Sequence, residues 1–163
     1  MHQSDLWSFA VSLYGAQDVS KACLFLQEES AVDVPVLLFA AWSGRRSVAL
    51  SQDDLKHING TIGAWREEVI LPLRVLRKRL KSGPRPAPDK RTETLRNAVK
   101  AAELSAERIE IEELEAEGRH LPKTSGASPL ENMLVAVRYC RKADLDERSI
   151  AAVNKIATAL TSL

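Results

Sequence analysis

A chain of 163 residues carrying 23 basic and 22 acidic side chains has a net charge of +1, and a domain of that size buries roughly two thirds of the surface its unfolded chain exposes, enough for a self-sufficient core. The charge balance excludes a whole-molecule attraction to nucleic acid or to an anionic membrane surface, so any electrostatic function has to be local. Cys23 and Cys140 lie far apart within helical patterns, and nothing in MHQSDLWSF resembles a secretion signal, so both read as thiols of a reducing, cytoplasmic compartment.

Asp5 to Tyr14 and Val19 to Glu29 read as two short helices separated at Gly15. Leu6, Phe9 and Leu13 mark the apolar face of the first, and Val19, Ala22, Cys23 and Leu26 that of the second. Val34 to Trp42 then gives nine apolar or small residues in a row. A bilayer span needs about 20, so this stretch is the buried centre of a domain and not a membrane segment. Asp33 is placed to cap it, Pro35 is tolerated in its first turn, and Gly44 is expected to supply a left-handed stop. The alternating piece Arg46 to Leu50 is the one strand candidate, and it would be alone.

Ser51-Gln-Asp-Asp opens a fourth helical pattern with a capping box in which Asp replaces the usual Glu. From there Leu55, Ile58, Ile62, Trp65, Val69, Leu73, Leu76 and Leu80 step by threes and fours, with a break expected near Ile70 because Pro72 removes a helical hydrogen bond. A Pro-rich linker, residues 83–89, precedes a long helix from about Thr92 to Gly118. Leu121 to Ser128 reads as a loop, Pro129 opens a helix through Arg141, and Asp146 caps a last one to about Leu160. The expected fold is all-α: a compact bundle of about six to seven helices with Val34 to Trp42 at its centre and a long charged helical hairpin. Residues 1–163 are read as a single helical domain, with core helices over 5–81, the linker over 83–89, a long acidic helix over 90–121 and a C-terminal helical pair over 129–161.

Two charged tracts stand out. Residues 74–91 carry eight basic side chains against Asp89, and residues 103–117 carry seven glutamates against Arg108. Cations at a helix C-terminus are favoured by the macrodipole, and a solvated face is the plain explanation of most charge runs. In an antiparallel hairpin the acidic tract would lie beside Asp53, Asp54, Glu67 and Glu68, leaving the basic end beside its own continuation. With a Debye length of about 8 Å the two tracts would then scarcely feel each other, so the complementary charge is expected from another molecule. Arg74, Arg77, Lys78, Arg79 and Lys81 are the candidate partner-binding residues.

Trp7, Trp42 and Trp65 fall on separate predicted helices, where large aromatics pack cores. Trp42 and Trp65 with Arg45 and Arg46 also form a candidate pocket for an anionic amphipathic ligand. Glu117-Gly-Arg-His120 has the Glu-x-x-His spacing of di-iron bundles, but those sites need a second such motif and carboxylates from facing helices. No metal, cofactor or catalytic residue is assigned. His57 reads as a boundary residue and His2 as part of a frayed terminus.

The run Leu6-Trp7-x-Phe9, Leu13-Tyr14, Ala22-Cys23-Leu24-x-Leu26-Gln27, Val32-Asp33-Val34-x-x-Leu37-Leu38 with Trp42, followed by Trp65, Pro72-Leu73-Arg74 and Arg77, resembles a small bacterial family of all-helical proteins of about this length, defined only as a domain of unknown function. The resemblance covers about Asp5 to Leu114. It implies a bacterial, cytoplasmic helical protein and brings no catalytic residues.

Amphipathic helices and segregated charge are legible in this sequence, whereas a reactive constellation is not. The expected function is therefore a non-enzymatic protein-interaction or regulatory module with a protein partner or a second copy. The alternative is an enzyme or binding protein for an anionic small molecule near Trp42, Arg45 and Arg46. Nucleic-acid binding through residues 74–91 is disfavoured, because the tract has no aromatic residue for stacking and no phosphate-cradling loop.

Overall fold

The computed structural model describes residues 5–163, so the expectation for His2 lies outside it. The described residues are all helical, with no strand: α1 (Leu6–Tyr14), α2 (Val19–Ser30), α3 (Val34–Arg45), α4 (Gln52–Trp65), a π turn (Arg66–Ile70), α5 (Leu71–Arg79), α6 (Lys90–Arg119), α7 (Pro129–Arg141) and α8 (Glu147–Leu160). Because α4, the π turn and α5 run on without interruption, the eight α-helices amount to seven rods. They divide into two compact units, one of residues 5–58 and 111–163 and one of residues 59–110.

In the first unit α3 is the centre. Every residue from Pro35 to Gly44 is buried, as a helix apolar on all sides must be, and α1, α2 and α7 pack around it. Its N-terminus is capped as the sequence demands, with Asp33 Oδ2 accepting from Val36 N at 3.2 Å. Asp5 caps α1 by accepting from Ser8 N, and Asp146 caps α8 by accepting from Ser149 N. Ser51 and Asp54 form the reciprocal box, Asp54 N donating to Ser51 Oγ and Ser51 N to Asp54 Oδ2.

Gly44 does not supply the left-handed stop. The helix runs through it to Arg45, and the positive φ of 62° falls on Ser47. A methyl on Gly44 would lie 2.4 Å from Pro129 N, so glycine is required for the approach of α7, not for a turn. The stretch after α3, whose alternation hinted at a strand, satisfies its backbone by other means. Thr124 N donates to Ser47 O, Ala49 N to Thr124 Oγ1, and Leu50 N to Asn132 Oδ1. The buried Asn132 also donates to Ala40 O at 3.1 Å and Val48 O at 2.8 Å, so its amide spends both donor hydrogens and its oxygen tying α7 to the end of α3.

The second unit takes in α4 from Asn59, the π turn, α5 and α6 up to Glu110. The break expected near Ile70 takes the form of the π turn. Pro72 has no N–H for Glu68 O, and its ring would strike that carbonyl in a regular helix; the wider turn just ahead, with Leu71 N donating back to Arg66 O, absorbs the mismatch. Beyond it α5 buries none of its residues fully, so apolar packing alone does not hold it.

Candidate functional site

Charge fastens α5 and the π turn to α6. Arg66 Nη2 donates to Glu110 Oε1 at 2.8 Å, Arg74 Nε to Glu103 Oε1 at 2.9 Å, and Arg74 Nη2 to Glu107 Oε1 at 2.7 Å. Arg77 Nε also donates to Glu103, and the Trp65 indole donates to Ala106 O at 3.0 Å. The ion-paired partners run in opposite order along the two segments, so the pair is antiparallel. Glu103 and Glu110 are buried, and a buried charge persists only when paired and hydrogen-bonded. Burial alone would lower the Arg74 guanidinium, yet its bonds and charges with Glu103 and Glu107 hold it above the ordinary arginine value. Burial likewise pushes Glu103 up, but the hydrogen bonds from Arg77 and Arg74 outweigh it and leave the carboxyl below the usual range.

These pairs correct the expectation that the two tracts stay apart and find their counter-charges only on another molecule. Glu103 and Glu107 open the acidic tract, and the antiparallel register sets them against Arg74 and Arg77, while Glu110 reaches Arg66. Treating each tract as a uniform block hides this. The helical spacing carries the signal: Glu103, Glu107 and Glu110 are four and three residues apart, and Arg74 and Arg77 three apart, so each set shares one face.

Arg74 and Arg77 therefore serve the interior of the unit, and the basic tract splits. Among the described residues no carboxylate is paired with Arg79, Lys81, Arg85 or Lys90, all of which are exposed around the turn between α5 and α6; Lys78 is exposed beside them. On α5, Leu71, Val75 and Arg79 follow at four-residue spacing, and Val75 is 67 % and Leu76 45 % exposed. The surface of α5 thus combines apolar side chains with cations.

In the first unit Trp42 is buried, tilted against Phe39 with centroids 6.2 Å apart. The Arg46 guanidinium stacks 4.2 Å from the Trp42 ring centroid, and Arg45 lies 5.9 Å from that of Phe9. Trp42, Arg45 and Arg46 are thus neighbours at the end of α3. Trp65 belongs to the second unit, its indole engaged by Ala106.

Neither cysteine is in a disulfide. Glu117, whose spacing to His120 suggested a metal motif, lies 3.7 Å from His57. Among the described residues no group of three or more His, Cys, Asp or Glu is placed to hold a metal ion, and no helix is long and apolar enough to cross a membrane.

Comparison with curated proteins and with solved structures gives no match. Residues 5–114, which take in α1 to α5, the π turn and all but the last turn or so of α6, match the family described as "Protein of unknown function (DUF2390)". The chain, two thirds of which that match covers, belongs to this family.

Proposed function

We propose that the chain is a non-enzymatic protein-interaction module, working in a reducing cytoplasm, whose contact surface is the basic end of the second unit: Arg79, Lys81, Arg85 and Lys90 with the exposed Leu71, Val75 and Leu76 of α5. The observation that carries this reading is the division of labour within the basic tract. Arg74 and Arg77 are spent inside the unit, whereas among the described residues no carboxylate is paired with the exposed Arg79, Lys81, Arg85 and Lys90, and α5 beside them exposes apolar side chains. Exposed apolar side chains in contact with a charged rim mark protein interfaces, and α5 offers no aromatic on which bases could stack, which favours a protein over a nucleic acid. Glu103, Glu107 and Glu110 are engaged within the chain, so a second copy has little of the acidic tract to offer, and the favoured partner is a different, acidic and amphipathic protein surface.

The test is affinity purification with the wild-type chain and with the triple variant Arg79→Glu, Lys81→Glu, Arg85→Glu, at about 0.05 M and about 0.5 M salt, where screening differs several-fold in range. A protein held by the wild type at low salt, and lost both from the variant and at high salt, is the expected result. Equal recovery by both chains at both salts contradicts the reading, as does retained material that is released by nuclease.

A further inference from the structure

The first unit contains a groove between α2 and α8 that neither helix reveals by itself, because its walls come from two segments far apart in the chain. From Asp18 at the start of α2, Lys21, Ala22 and Phe25 follow at the third, fourth and seventh places. From Arg148 on α8, Ala151, Ala152 and Lys155 follow at the same intervals. Each helix therefore turns one matching stripe toward the other. The two run antiparallel: Ser30 Oγ near the end of α2 is 2.9 Å from Ser149 Oγ near the start of α8, and the Arg148 guanidinium lies 4.9 Å from the Phe25 ring centroid. Where longer side chains would close the seam, the alanines leave a depression of about 330 Å³. That lies at the lower end of the range of small-molecule sites, roughly 300 to 1,000 Å³.

The chemistry of the walls is uneven. The floor is the Phe25 ring and three alanines, while the rim carries Lys21, Arg148 and Lys155 against one carboxylate, Asp18. Asp18 reaches Lys21 only at 3.9 Å across exposed side chains, a contact worth little in water. Among the described residues no carboxylate is paired with Arg148 or Lys155. The antiparallel register gathers Lys21 and Lys155 at one end, with Asp18 as the one carboxylate there, and places Arg148 over Phe25 at the other, so an end with two cations against one carboxylate adjoins an apolar trough roofed by a guanidinium.

We propose that this groove binds a small anionic amphiphile, with a phosphate or carboxylate head held by Lys21 and Lys155 and an apolar body lying on the alanines toward Phe25 and Arg148. Charge complementarity selects the head, and the lack of any large side chain between Phe25 and Lys155 on the floor selects a slender body of acyl-chain or single-ring width. The site lies in the other unit from the proposed protein contact and does not depend on it.

The experiment is a titration of the full chain, followed by amide chemical shifts and by calorimetry, with octyl phosphate, inorganic phosphate and the uncharged octyl glucoside, each below its micellar concentration. Octyl phosphate is expected to bind and to shift amides of residues 18–25 and 148–155, with inorganic phosphate and octyl glucoside at least about tenfold weaker, since each supplies only one of the two contacts. Lys155→Gln is expected to weaken octyl phosphate about tenfold by removing one charge-assisted contact. Ala151→Leu, on an exposed position, keeps every charge but fills the floor and is expected to abolish binding, with thermal melts confirming that both variants fold. The proposal is overturned by absence of octyl phosphate binding, by shifts centred elsewhere, or by undiminished binding to both variants. Inorganic phosphate binding as tightly as octyl phosphate would also overturn it, because the trough would then contribute nothing. So would cosedimentation with phosphatidylglycerol vesicles in a chain that ignores octyl phosphate, since the cations would then serve a membrane surface.

Discussion

Arg66 holds Glu110 through two donors, Nε at 3.1 Å and Nη2 at 2.8 Å from the same Oε1, and its Nη1 donates to Asn59 Oδ1 at 2.7 Å. The Glu110 side chain has no solvent exposure and that of Arg66 has 15 %. Removing one partner of a buried pair strands the other charge at a cost of about 3 to 5 kcal/mol, whereas replacing both by apolar groups is often neutral. Glu110→Leu alone is therefore expected to lower unfolding free energy by about 3 kcal/mol, and Arg66→Met combined with Glu110→Leu to recover most of it. Denaturant melts of the wild type, both single variants and the double variant measure this. Losses that simply add would show that the two residues are not energetically coupled.

Two glycines of the first unit make a second test. A methyl on Gly118 would lie 2.6 Å from Phe39 Cε2 and 3.0 Å from Trp42 Cζ3, and one on Gly44 would lie 2.4 Å from Pro129 N. Alanine is the better helix former by about 1 kcal/mol, so local propensity says both substitutions should stabilise. Overpacking a filled core costs typically 1 to 3 kcal/mol, which reverses the sign. Gly44→Ala is expected to be the more damaging of the two, because backbone at the start of α7 must move, whereas at Gly118 aromatic side chains can tilt. Thermal melts in which either variant gains stability would contradict the packing described here.

The features legible in the sequence are those set by near neighbours. Asp33, Ser51 with Asp54, and Asp146 cap the helices their positions announce, since a cap needs only a side chain within three residues of an orphaned N–H. The break ahead of Pro72 was legible for the same reason. Gly44 misleads because the sequence offers a local use for a glycine while the structure has a distant one, at Pro129. The Arg74–Glu103 and Arg66–Glu110 pairs had a periodic signal on each helix, but matching the two faces required the register of the hairpin. The groove flanked by Lys21 and Lys155 likewise has a stripe on each helix, but only the docking of α8 on α2 brings its walls together.

The two cysteines should differ sharply in reactivity. Cys23 is fully buried among apolar residues of α2, and burial pushes its thiol up to about 12, so almost no thiolate exists at neutral pH. Cys140 near the end of α7 is half-buried. Iodoacetamide at pH 8 is expected to place one label on the folded chain, at Cys140, and two in guanidinium chloride, as read by intact mass and peptide mapping. Labelling of Cys23 in the folded chain at the rate of Cys140 would show that α2 opens far more readily than its packing implies.

Acid sensitivity follows from Glu103, which faces Arg74 and Arg77 with Glu107 close by. Its carboxyl is held below the ordinary glutamate value because the guanidinium hydrogen bonds outweigh the desolvation that would raise it. When the folded value lies below the unfolded one, about 4.3, the unfolded chain binds more protons on acidification and stability falls. The contribution of Glu103 is thus fully present above about pH 5 and is lost as pH drops through its folded value. Asp89 and Asp146 are depressed in the same sense, first by backbone hydrogen bonds from Thr92 and Ser149 and then by Arg91 and Arg141, so the wild type has three carboxylates acting in one direction. Glu103→Gln keeps the shape but cannot titrate. That variant is expected to be less stable than the wild type at pH 7, and to lose less on going to about pH 3, so that the two stability curves converge in acid. Urea melts at closely spaced pH values measure both curves. Curves that stay parallel from pH 7 down would mean that Glu103 carries no proton linkage, and that Arg74 and Arg77 are held to α6 by Glu107 and packing instead.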